Sequence, residues 1–81
     1  MVNKHILLIG AGRSVQSLVD YIAEHLLTKG CTLTVAERDL ERAKKMVGDL
    51  PNTTITYLDV TEREKLSVLI DKANLVISML P

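Results

Sequence analysis

The 81-residue chain contains no tryptophan or phenylalanine, and two tyrosines are its only aromatic residues. A core must therefore be built from Leu, Ile, Val, Ala and Met, which suits a parallel sheet packed between helices. Ten basic residues balance ten acidic ones. Without a basic stripe or an aromatic platform on which bases could stack, the sequence argues against nucleic acid as the main partner.

Cysteines and long apolar runs are also scarce. Cys31 is the only cysteine, which excludes an intrachain disulfide and a zinc site made of clustered thiolates. No stretch approaches the roughly 20 apolar residues of a membrane-spanning helix. The apolar run after Lys4 and His5 is interrupted at residues 10–13, which is too early for a signal peptide. We therefore expect a cytoplasmic protein with no membrane segment.

Near the start of the chain, an apolar strand runs into two glycines and then into a helix. Residues 6–9 are a run of Leu and Ile without polar alternation, which is typical of a strand buried on both faces, and His5 is its predicted exposed start. Gly10 permits a tight turn, and Gly12 leaves the main chain open to a pyrophosphate. Residues 13–29 then have helical periodicity, and the unpaired N–H groups of the first helical turn favour an anion.

The glycine turn departs from the full pattern Gly-x-Gly-x-x-Gly/Ala, because Val15 stands at the third position. That residue governs how closely the helix packs on the strand, so we expect Val15 to move the helix outward without removing the phosphate site. A purely structural turn also explains Gly-x-Gly, and this alternative stays open.

The rest of the chain continues the alternation of strands and helices. Further strands are predicted over residues 31–36, 53–58 and 75–80, the last nearly uniform in apolarity. With right-handed crossovers the strand order is 3-2-1-4. The predicted fold is α/β: a truncated Rossmann-like domain with a four-stranded parallel sheet in three αβα layers.

Polar residues predict where the later helices begin and end. Asp39 has the position of an N-cap for the second helix, and Gly48 that of its C-cap. Thr61 and Glu64 have capping-box spacing, so the third helix is expected to begin there and to end at Asn74.

Ligands of such sheets bind beyond the carboxyl ends of the strands, where two acidic residues are predicted. Glu37 ends the second strand, in the position from which an acid accepts hydrogen bonds from the adenosine ribose; a solvated loop acid is the alternative. Its carboxylate would repel a 2′-phosphate, which favours NAD over NADP. Arg38 can stack on adenine or pair with that phosphate, so both cofactors stay open. Asp59, after the third strand, is placed to line the adenine pocket.

Four segments resemble the N-terminal part of the saccharopine dehydrogenase family. They are Ile-Gly-Ala-Gly-Arg-Ser at 9–14, Val-Ala-Glu-Arg-Asp at 35–39, Leu-Asp-Val-Thr at 58–61 and Val-Ile-Ser-Met-Leu-Pro at 76–81. The resemblance covers essentially the whole chain, and its last segment is the most distinctive. It implies an NAD(P)-dependent oxidoreductase that acts on a carbon–nitrogen bond, making or breaking saccharopine in lysine metabolism.

The resemblance also implies a role for each site residue. The pyrophosphate would be held by Gly10, Gly12, Arg13, Ser14 and Val15. The adenosine ribose would lie at Glu37 and Arg38, adenine at Asp59 and Val60, and the ribose on the nicotinamide side near Ser78 and Met79. Since the family's substrate site and acid/base residues come from later parts of the chain, residues 1–81 are expected to be a fragment of a larger enzyme. We expect no catalytic residue and no metal site in it, and an amino-acid-type substrate bound elsewhere.

Two other functions remain possible at this point. Regulatory NAD-sensing domains of the potassium-transport type share the Gly-Ala-Gly-Arg turn and the acid after the second strand, but usually end the fourth strand in small residues. An interaction module that has lost nucleotide binding is the other alternative. Truncation of the domain leaves the fourth strand as an apolar sheet edge, so we expect a homo-oligomer formed through residues 75–80.

Overall fold

The computed structural model describes residues 4–10, 16–28, 30–59 and 61–78, in which strands and helices alternate. The elements are β1 (His5–Ile9), α1 (Gln16–Thr28), β2 (Thr32–Glu37), α2 (Leu40–Val47), β3 (Thr53–Tyr57), α3 (Arg63–Lys72) and β4 (Leu75–Ser78). Three strand boundaries differ by one residue from the prediction: β2 begins at Thr32 and extends to Glu37, and β3 stops at Tyr57.

The four strands form one parallel sheet in the order β3-β2-β1-β4, which confirms the predicted topology. β1 is central, and Leu7 of this strand is aligned with Thr34 of β2 and with Val76 of β4. Each crossover between parallel strands contains a helix, as this geometry requires. The carboxyl ends of all four strands therefore lie along one edge of the sheet.

The core lies on both faces of the sheet, as the uniformly apolar first strand predicted. One face packs against α1 and α2, and its buried residues are Ile6, Leu8, Ile22, Leu26, Cys31, Leu33, Val35, Ala43 and Val47. The other face packs against α3, and its buried residues are Leu7, Ile9, Ala36 and Leu58. The predicted three-layer arrangement is thus confirmed.

Both predicted caps of α2 are present. The Asp39 side chain accepts a hydrogen bond from the N–H of Arg42 at 3.1 Å. Gly48 closes the helix at a φ of 53°, with its N–H donating to the Lys44 carbonyl at 2.9 Å. A positive φ of this kind favours glycine, which explains why the helix ends here.

The predicted capping box of α3 is wrong. The helix begins at Arg63, with Glu62 as its N-cap, and that cap makes no side-chain hydrogen bond to the helix. Thr61 does not cap the helix, because its hydroxyl donates to the Asp59 carboxylate at 2.8 Å. At the other end α3 stops at Lys72, two residues before the predicted Asn74.

Asn74 and His5 join the end of α3 to the start of β1. The Asn74 N–H donates to the His5 carbonyl at 2.7 Å, and the His5 N–H donates to Asn74 Oδ1 at 2.7 Å. The His5 ring lies within hydrogen-bond distance of the hydroxyls of Thr32 (2.6 Å) and Thr34 (2.9 Å) on β2. This polar cluster fixes the amino edge of the sheet, opposite the predicted cofactor site.

β4 has a sheet neighbour on one side only, within the part of the chain that the structure describes. Leu75 is 50% exposed and Val76 is 39% exposed, so apolar side chains of this strand contact solvent. None of the helices in the described ranges is long and apolar enough to cross a membrane.

The α2 cap leads to a stability prediction. Asp39→Ala removes the acceptor for the Arg42 N–H, and we expect it to lower the free energy of unfolding by about 1 kcal/mol, measured by urea denaturation. The ion pair between Asp39 and Arg42 is long, at 3.9 Å, and exposed, so it adds little. Asp49→Ala, at an exposed turn, is the matched control. Equal losses in the two variants would contradict a capping role.

Candidate dinucleotide-binding site

The carboxyl edge of the sheet brings together the predicted site residues that the structure describes. Ile9, the last residue of β1, is aligned with Ala36 of β2 and with Ser78 of β4. Gly10 therefore follows the central strand between the ends of its two neighbours. Glu37 ends β2 and Asp59 lies just beyond β3, so these polar groups line the same edge.

Gly10 has the backbone conformation that the sequence predicted. It is buried, and its φ of 84° lies in the region that favours glycine. Its N–H donates to the Ala36 carbonyl at 2.9 Å, which extends the β1–β2 pairing beyond the end of β1. This amide is committed to the sheet, so Gly10 contributes the shape of the turn and not a donor for phosphate.

Six of the predicted site residues lie outside the described residues, so their contacts with a cofactor stay predictions. They are Gly12, Arg13, Ser14, Val15, Val60 and Met79.

Glu37 directs its carboxylate toward the start of α2. Its Oε1 accepts hydrogen bonds from the N–H of Arg38 at 2.9 Å and of Asp39 at 3.1 Å. The side chain is half-buried, while Arg38 is exposed beside it. Two main-chain N–H groups thus hold this carboxylate in place at the end of β2.

Asp59 is held in a tight turn by residues that follow it. The carboxylate oxygen Oδ1 accepts the N–H of Thr61 at 3.0 Å and its hydroxyl at 2.8 Å. Glu62 Oε1 accepts the Asp59 N–H at 3.1 Å, and the Glu62 N–H donates to the Asp59 carbonyl at 2.8 Å. The turn thus fixes both the backbone and the side chain of Asp59.

The same turn sets the charge of Asp59. The hydrogen bond from the Thr61 N–H, and then the one from its hydroxyl, lower the pKa of Asp59 below its ordinary value, against a smaller opposing effect of desolvation. The positive charge of Arg38 lowers this pKa further. Asp59 is therefore ionised at neutral pH and acts only as an acceptor.

Ser78 ends β4 as an exposed residue. Its alignment with Ile9 places it on the other side of Gly10 from Glu37. Among the described residues, no group of three or more His, Cys, Asp or Glu side chains is arranged to hold a metal ion.

Thr61 and Glu62 were not predicted as residues of this edge. The sequence assigned Thr61 to a helix cap through its spacing to Glu64. The signal that could have found the turn is the overlapping pair Asp59 and Glu62, which are also three residues apart, as in a capping box.

Proteins that are similar to this chain in sequence are named as dehydrogenases and reductases. The chain is 33% identical to saccharopine dehydrogenase [NADP(+), L-glutamate-forming] of Pyricularia oryzae, over 100% of this chain and 17% of that protein. It is 36% identical to glutamyl-tRNA reductase of Prochlorococcus marinus, over 78% of this chain and 14% of that protein. The chain thus spans less than a fifth of the length of either relative.

A solved structure has the same fold. Apo saccharopine dehydrogenase (L-Glu forming) from Saccharomyces cerevisiae superimposes with a TM-score of 0.77 at 29% identity, covering 98% of this chain and 17% of that one. The predicted resemblance to saccharopine dehydrogenases and the Rossmann-like fold are thereby confirmed. The family described as shikimate / quinate 5-dehydrogenase matches residues 1–80. The chain therefore belongs to the shikimate / quinate 5-dehydrogenase family.

Proposed function

We propose that residues 1–81 are the dinucleotide-binding part of an NAD(P)-dependent oxidoreductase that acts at a carbon–nitrogen bond, as a saccharopine dehydrogenase of lysine metabolism does. One observation carries the proposal: the parallel pairing of β1 with β2 brings the positive-φ turn at Gly10 and the Glu37 carboxylate to one edge of the sheet. The relatives named as saccharopine dehydrogenases support the choice of reaction.

The donors and acceptors at this edge fit a dinucleotide. Glu37 and Asp59 are hydrogen-bond acceptors, which suits the hydroxyl groups of a ribose and the amino group of adenine. We assign the pyrophosphate to the turn that Gly10 shapes and to residues 12–15, adenosine to residues 37–38 and 59–60, and the nicotinamide-side ribose to residues 78–79. When bound, the nicotinamide supplies the carbon that accepts or donates hydride.

The charge of Glu37 favours NAD over NADP. A 2′-phosphate at the end of β2 would lie beside the Glu37 carboxylate, which the N–H groups of Arg38 and Asp39 hold in place. A phosphate and a carboxylate placed next to each other repel strongly, whereas a ribose hydroxyl can donate a hydrogen bond to the same carboxylate. The exposed Arg38 can pair with a 2′-phosphate, which reduces this preference.

We expect the chain to bind NAD more tightly than NADP in titration calorimetry. Glu37→Gln removes the negative charge and keeps the shape, so the ratio of NADP to NAD affinity should rise about tenfold. Glu64→Gln, an exposed acid in the first turn of α3, makes the same charge change elsewhere and should leave the ratio unaltered. The assignment of Glu37 fails if both variants behave alike.

Catalysis requires residues beyond the dinucleotide site. Hydride transfer needs a substrate held against the nicotinamide and a group that moves a proton. The saccharopine dehydrogenases that the chain matches are about six times its length. We propose that the substrate site and the acid/base residues belong to sequence beyond residues 1–81.

The 81 residues alone should show no turnover. In an absorbance assay with saccharopine and either NAD or NADP, we expect no formation of reduced nicotinamide. A full-length saccharopine dehydrogenase in the same assay shows that the substrates are competent. Measurable turnover by the 81 residues would place catalytic groups within them and would refute this part of the proposal.

The exposed edge of β4 suggests self-association. Leu75, Val76 and Ile77 form an apolar strand without a charged or proline residue to prevent pairing with another edge. We propose that two copies pair through β4 across a two-fold axis, which would join two four-stranded sheets into one.

Sedimentation equilibrium tests this association. The weight-average mass should rise from monomer toward dimer with concentration, and Val76→Lys, which puts a charge on the edge strand, should keep the chain monomeric. Val68→Lys is the control, since Val68 is 51% exposed on α3 and lies off the strand. A wild-type chain that stays monomeric at high concentration would exclude pairing through β4.

A further inference from the structure

The two oxygens of the Asp59 carboxylate have different surroundings. Oδ1 accepts both hydrogen bonds from Thr61, at 3.0 Å from its N–H and 2.8 Å from its hydroxyl. No donor among the residues that the structure describes reaches Oδ2. One oxygen is therefore anchored, and the other is available to a ligand.

The anchoring fixes where the second oxygen points. Glu62 binds the Asp59 backbone from both sides, accepting its N–H and donating to its carbonyl. With the backbone held by Glu62 and Oδ1 held by Thr61, the carboxylate has little freedom to rotate. Such pre-ordering lowers the conformational cost of binding a ligand at Oδ2.

The chemistry of Asp59 restricts the ligand group. The Thr61 donors and the charge of Arg38 lower the pKa of Asp59, so the carboxylate can accept but not donate a hydrogen bond. A group placed at Oδ2 must carry a hydrogen. The exocyclic amino group of adenine meets this requirement, whereas the carbonyl at the same ring position of hypoxanthine would face the carboxylate oxygen to oxygen.

We propose that Thr61 is a positioning residue that aims Asp59 Oδ2 at the exocyclic amino group of the bound purine, so that the site selects adenine over hypoxanthine dinucleotides. This inference rests on the proposed function, because it concerns the base of the same cofactor. It extends that function from dinucleotide binding to recognition of the base: Asp59 contacts the base, and Thr61 orients Asp59.

Calorimetry with two dinucleotides tests the wild-type site. NAD and nicotinamide hypoxanthine dinucleotide differ only in the purine, where a 6-oxo group with a hydrogen on N1 replaces the 6-amino group. We expect NAD to bind at least about tenfold more tightly, as for loss of a hydrogen bond to a charged group. If both bind equally, the inference is overturned while the proposed function stands. If neither binds, both are overturned.

Variants of Thr61 and Asp59 then test the positioning. Thr61→Val removes the hydroxyl and keeps the β-branched shape, so the preference for NAD should fall severalfold, while Thr61→Ser should retain it. Asp59→Asn can present either an oxygen or an amino group, so it should bring the ratio of the two affinities close to one. Thr54→Val, at an exposed threonine of β3, is the control. A ratio in Thr61→Val as large as in the wild type would exclude a role for the hydroxyl, and far-UV circular dichroism verifies the fold of each variant.

Discussion

The hydrogen-bonded pairing of β1 with a parallel strand on each side is the constraint on which the rest of the molecule depends. Leu7 and Leu8 of this strand are almost completely buried, one on each face of the sheet. A strand enclosed in this way has no side chain to offer a ligand. The side chains that can hydrogen-bond to a ligand are therefore found in the residues that follow each strand. Parallel pairing brings those residues together from distant parts of the sequence.

The turn at residues 59–62 couples this edge to the packing of the second face. Leu58 is buried in the cluster beneath α3, and the next residue is the half-buried Asp59. Glu62 is both the partner of the Asp59 backbone and the residue that precedes the first turn of α3. The same few hydrogen bonds thus orient a carboxylate at the edge and determine where the helix begins.

Much of this architecture was predictable because local patterns agreed with the tertiary structure. The apolar run of residues 6–9 predicted a strand buried on both faces, and Asp39 and Gly48 predicted the ends of α2. The start of α3 was not predictable in the same way. The pairs Asp59–Glu62 and Thr61–Glu64 have the same three-residue spacing. In the structure the Asp59–Glu62 pair forms, in the turn that follows β3, and the Thr61 hydroxyl binds Asp59 instead of the helix. The commitment of the Gly10 amide to Ala36 was likewise invisible, since it depends on how far β1 and β2 remain paired.

The two hydrogen bonds between Asn74 and His5 have a consequence for the strand that follows. β4 has only four residues, three of them apolar, so its sequence hardly distinguishes the two sides of the sheet. Slippage by one position would exchange inward and outward side chains at small cost in hydrophobic burial. Because the main chain and the side chain of Asn74 both hydrogen-bond to His5 just before β4 starts, β4 pairs with β1 in a single alignment. The Asn74 side chain, at the amino ends of the strands, thereby determines that Ser78, and not a neighbouring residue, is aligned with Ile9 at the carboxyl end of the central strand.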